Sequence, residues 1–141
     1  MPLDRGTRIY AAFLLALILG LALLALYEPP RVAELNDLLE SDPQVSASPY
    51  PFRVLRVEGA TAVMSTPRSP AVPVERVLGL LFPEVAGQPG NSPAFQAAQK
   101  RLASIQTRAR DLVLEAPDID HVRWELDRDW LMRHGIQPPP G

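Results

Sequence analysis

The sequence predicts an α+β protein: an N-terminal transmembrane helix, then a small α-β-β-α-α-β-α domain closed around a three-stranded, mainly antiparallel sheet. Three observations predict it. An uncharged apolar run fills residues 9–27. Two β-rich segments flank Gly59-Ala60, and a third segment alternates strictly over residues 121–127. Before that third segment, an apolar stripe at helical spacing runs over residues 93–116. The 141 residues leave room for one ordinary domain beside the apolar run. Sixteen prolines argue against a helical bundle and for a domain broken by turns. A formal net charge of -2 argues against a nucleic-acid binder. The absence of cysteine excludes a disulfide framework, a thiolate metal site and a cysteine nucleophile.

Residues 9–27 read IYAAFLLALILGLALLALY. As a helix this run is about 28 Å long, close to the hydrocarbon thickness of a bilayer. Tyr10 and Tyr27 stand at its ends, where amphipathic rings favour the interface, and Pro29-Pro30 stops it. The run is longer than the apolar core of a signal peptide, and Leu23 two positions before Ala25 makes a poor cleavage site. An uncleaved anchor is therefore expected. Arg5 and Arg8 precede it and Arg31 follows, which places residues 1–8 in the cytoplasm and residues 28–135 outside. Lys100 is the single lysine among 14 basic residues, an arginine bias typical of GC-rich bacterial genomes. The expected location is thus a bacterial inner membrane, with the domain in the periplasm. Ala12, Ala16 and Gly20 recur every four residues and form a stripe that suits transmembrane helix packing.

In the exterior domain, residues 31–42 set Val32, Leu35, Leu38 and Leu39 on one helical face, and Asp42-Pro43 ends the helix. Residues 43–51 read as a Pro/Ser turn region that doubles as a short linker. Residues 52–58 form a strand with Phe52, Val54 and Arg56 to one side and Arg53, Leu55 and Val57 to the other. Gly59-Ala60 turns it into a second strand over residues 61–66. The prolines of PRSPAVP end that strand. Residues 73–82 form a short helix with Val74, Val77, Leu78 and Leu81 inward; Leu80 and Phe82 lie off that stripe. Ser92 and Pro93 open the long helix as N-cap and first residue. Its stripe is Phe95, Ala98, Leu102, Ile105, Ala109, Leu112 and Ala116. Residues 121–127 read as a half-buried antiparallel strand, with Val122, Trp124 and Leu126 inward and His121, Arg123 and Glu125 on a wet outer face. Residues 128–134 form a last helix packed through Trp130 and Leu131 and stopped by Gly135; residues 136–141 read as a disordered tail.

This order resembles the BON domain, a small αββαβ module of bacterial envelope proteins. LNDLLESDPQV resembles its opening helix, FRVLRVEG with TAVMS its hairpin, and AQKRLASIQTRARDLVLEAPDIDHVRWEL its helix, turn and last strand. The resemblance spans about residues 34–126. It departs at an insertion over residues 67–93, and Asp118-Ile119 stands where the family has glycine-valine before its last strand. The resemblance implies a non-catalytic domain that binds phospholipid or another envelope component.

The richest polar cluster is Asp118, Asp120, His121, Asp127 and Asp129. It has the residue types of a metal or acid-base site but a single imidazole, and turn and capping roles account for its aspartates. No G-x-S-x-G elbow or phosphate-cradling glycine loop is present. No catalytic, metal or cofactor-binding residue is therefore assigned, and no cofactor is expected. Two surface features remain. Leu80 and Phe82 read either as an exposed apolar edge or as the cap of a small core. Arg101 and Arg108, seven apart with Lys100, Arg110 and Arg68 nearby, read either as a strip for anionic lipid headgroups or as a solvated helix face. The function expected first is a protein-interaction or assembly module of the envelope, partnered by another membrane or envelope protein. A BON-like phospholipid binder comes second, and a hydrolase or metal-dependent enzyme using Asp120 and His121 third.

Overall fold

Asp4 and Ser92 start the two longest helices in the same way. Asp4 accepts a hydrogen bond from the Thr7 N–H at 2.7 Å, and the Ser92 hydroxyl accepts one from the Phe95 N–H at 3.2 Å. The computed structural model describes residues 4–26 and 29–138. The chain divides into two units, the N-terminal helix and the domain from Arg31 onward.

Helix α1 (Arg5–Leu26) buries no residue. It is long and apolar enough to cross a membrane. It starts four residues before the apolar run, because Asp4 caps it ahead of Arg5 and Arg8. Tyr27, expected at the far interface, lies outside the described residues.

The domain contains α2 (Pro30–Ser41), α3 (Pro43–Ser46), β1 (Val54–Glu58), β2 (Thr61–Thr66), α4 (Val74–Leu81), a 3-10 turn (Pro83–Val85), α5 (Pro93–Leu114), β3 (His121–Leu126) and α6 (Arg128–Arg133). The class is α+β, as expected. The sheet order is β1-β2-β3. β1 and β2 form the antiparallel hairpin, with Gly59 at φ 61° in the turn. β3 corrects the expectation: it runs parallel to β2, Thr61 facing His121 and Thr66 facing Leu126. A hairpin cannot join parallel neighbours. The chain between β2 and β3 carries α4 and α5 and works as a crossover, so the sheet is mixed.

One core fills the space between sheet and helices. The whole α5 stripe from Phe95 to Ala116 is buried and joined by Val113. In α2 the expectation changes at one residue. Leu38 is exposed, and Asn36 is buried in its place beside Val32, Leu35 and Leu39. The Asn36 amide donates to the Val54 carbonyl at 3.1 Å and accepts from the Val54 N–H at 2.8 Å. It acts as a substitute strand on the outer side of β1. A bulge between Val54 and Arg56 then shifts the pleat, so Val57 packs on the core and Arg56 turns outward.

Residues 43–51 are not a linker. Asp42 caps α3 by accepting from the Val45 N–H at 3.0 Å, and both Val45 and Tyr50 are buried. Tyr50 meets Phe52 and Trp130 edge-on and donates to Asp127 at 2.8 Å. Asp127 also caps α6 through the Trp130 N–H. Gly135 ends that helix at φ 76°. The expected tail starts later than residue 136: Ile136 is 2% exposed and its N–H donates to the Leu131 carbonyl. Residues 139–141 lie outside the described residues.

Candidate interaction site

The segment between β2 and α4 builds an apolar concavity. Pro67, Pro70 and Pro73 hold it in fixed turns, and the Ser69 hydroxyl accepts from the Ala71 N–H. It curls over α5 and leaves a groove of about 440 Å³ lined by Thr66–Pro70, Val72, Val74, Val77, Leu102, Gln106 and Trp124. A smaller depression of about 210 Å³ continues it along α5 past Ala103, Thr107 and Arg110. Arg68, Gln106 and Trp124 line both. Gln106 is steadied by the Thr66 hydroxyl at 3.2 Å, and Trp124 packs edge-on against Phe52 at 6.1 Å. The arrangement offers an apolar floor, an indole wall and two guanidinium groups at the rim. This composition suits binding of a side chain or short segment.

The outer face of the sheet is built differently. Arg56 pairs with Glu58 and Glu125, each at 2.9 Å, and Arg123 pairs with Glu58 at 2.8 Å. These four side chains reach across β2 and cover Val63, which is fully buried. The Arg56 guanidinium is the main cause holding both carboxyls below the usual range.

The residues expected to form sites are dispersed. Phe82 is 3% exposed, as the core-cap reading has it, and of the apolar-edge reading only Leu80 remains, at 42%. Arg101 lies over the Phe82 ring at 5.2 Å, a cation–π contact that covers it. Arg108 donates twice to Asp42 Oδ1, at 3.1 and 2.8 Å, and thereby ties α5 to α3. Arg101 and Arg108 therefore do not form a strip of free cations. Ala12, Ala16 and Gly20 lie on the exposed surface of α1. In the acidic cluster, Asp118 pairs with Arg31, and Asp127 is taken by Tyr50 and the α6 cap. Among the described residues no group of His, Asp and Glu side chains could hold a metal ion. His134 stacks on Trp130 at 4.2 Å, and its Nδ1 lies 2.7 Å from the Trp130 carbonyl.

Of the groove residues, Ser69, Gln106 and Trp124 were missed as a site from sequence, and Arg68 was read only with the basic strip of α5. Trp124 reads as one more inward residue of an alternating strand. The usable signal is PRSPAVP, since three prolines in one crossover stiffen a loop beyond what a strand end needs. No family model, no curated protein and no solved structure matches the chain.

Proposed function

We propose that the chain is a single-pass protein of the bacterial inner membrane, with its N-terminus cytoplasmic and its domain in the periplasm. The domain works without catalysis, as an envelope protein-interaction or assembly module that takes an apolar segment of a partner in the groove between PRSPAVP and α5. The observation that carries this reading is the groove: about 440 Å³, apolar at its floor, with Arg68 at its rim. The apolar α1 and the Arg5/Arg8 flank support the location.

A phospholipid-binding role is the second reading, favoured by the BON-like element order and by Lys100 and Arg101 exposed on α5. Arg108 weakens it, because headgroup binding there competes with the Asp42 pair. A photo-crosslinking amino acid placed at Ser69 or Gln106 of the full-length chain, in its native membrane, separates the two. The groove reading expects one discrete protein adduct at both positions and none at Glu40, which is exposed on α2. Adducts with phospholipid alone, or equal protein adducts at Glu40, would reject it.

A further inference from the structure

The two edges of the sheet are not alike. The β1 edge is closed at Val54 by the Asn36 amide and bent by the bulge that follows. β3 is the other terminal strand. Its His121 and Asp127 N–H groups donate to Ala60 and Thr66 of the β2 side. Parallel pairing alternates, so Val122, Trp124 and Leu126 turn their N–H and C=O groups to the open edge.

We propose that this edge is a self-association surface: it receives β3 of a second copy, antiparallel, in the register that sets Trp124 opposite Trp124. The order of side chains argues for that occupant. In this register Val122 faces Leu126 of the second copy, and Arg123 faces its Glu125. Apolar meets apolar on the core face, and opposite charges meet on the outer face. The backbone agrees. Positions 122, 124 and 126, whose polar groups are outward, fall at the hydrogen-bonded pairs, and the Arg123–Glu125 pairs fall at the closer non-hydrogen-bonded sites. Centring the pairing on residue 123 sets Arg123 against Arg123; centring it on residue 125 sets Glu125 against Glu125. Both place like charges opposite each other. The pairing also extends the outer-face network, since Arg123 and Glu125 already bind Glu58 and Arg56 across their own sheet. Antiparallel pairing of one open edge per copy closes at two copies. Tethering both copies to one membrane raises their effective concentration, so a short edge suffices.

The natural chain has no cysteine, which makes the test clean. Arg123→Cys and Glu125→Cys are made separately in the full-length protein, at positions exposed on the outer face. The two chains are expressed alone and together, and the membranes are treated with a mild oxidant. Cα atoms of a non-hydrogen-bonded antiparallel pair lie about 4.5 Å apart, within reach of a disulfide. The expected result is a band of doubled mass, abolished by reductant, in the mixture and not with either chain alone. No band in the mixture, or an equal band with Arg123→Cys alone, overturns the proposal. Val122→Pro added to both chains provides the second readout. Its N–H faces the open edge, where proline spares the pairing with β2. The band should be lost while the circular dichroism stays that of the parent; a band that persists at full strength also overturns the proposal.

Discussion

Asn36 and Asp42 each hold two elements together through one polar side chain. Asn36→Leu keeps the branched shape but leaves the Val54 N–H and C=O without their partner. A loss of about 2 kcal/mol is expected, the cost of stranding buried polar groups. Urea unfolding of the full-length chain in detergent, followed by tryptophan fluorescence, measures it. Asp42 is held below the usual carboxylate range, first by its hydrogen bond from Arg108 and next by the Val45 N–H. Its folded pKa lies below its unfolded one. It therefore contributes stability above the unfolded value and loses it as pH falls through the folded value. The melting temperature should fall as pH drops below about 4. In Asp42→Asn it should start lower at pH 7 and fall less steeply. An acid profile unchanged by the substitution would refute this role. Neither residue announced it in the sequence. Periodicity favours Leu38 over Asn36, because a face is counted by apolarity, and the partner that makes a buried amide favourable is a backbone far along the chain.

Helix α5 was legible almost residue by residue. Its apolar positions keep 3-4 spacing without a break, its cap is a serine, and its first residue is a proline. Ile105→Ala should cost about 3 kcal/mol, as for other buried large-to-small changes. Leu80→Ala, on the exposed side of α4, should change stability by less than about 0.5 kcal/mol. Denaturant midpoints of the two variants test the contrast; equal effects would mean the faces are wrongly assigned. The direction of β3 was not legible. Alternation fixes which side chains point inward, and it is the same for parallel and antiparallel neighbours. What decides direction is the path of the crossover through α4 and α5, and no local pattern encodes that path. The β1 bulge was hidden for a related reason: it moves Val57 inward without altering composition.

At the scale of the molecule, the sequence separates into an apolar helix and an α+β domain, and the structure divides into two units between Pro30 and Arg31. The groove was beyond local reading. It joins a proline-stiffened loop, the middle of α5 and a strand residue, which are distant in the chain and adjacent in the fold. The central claim is that this groove holds a partner protein. It is tested most directly by purifying the tagged full-length chain from its native membranes in mild detergent, beside Ser69→Trp, whose indole fills the groove. The account predicts a stoichiometric envelope protein with the parent chain and its loss with Ser69→Trp. A partner retained by Ser69→Trp, or phospholipid co-purifying with no protein, would contradict it.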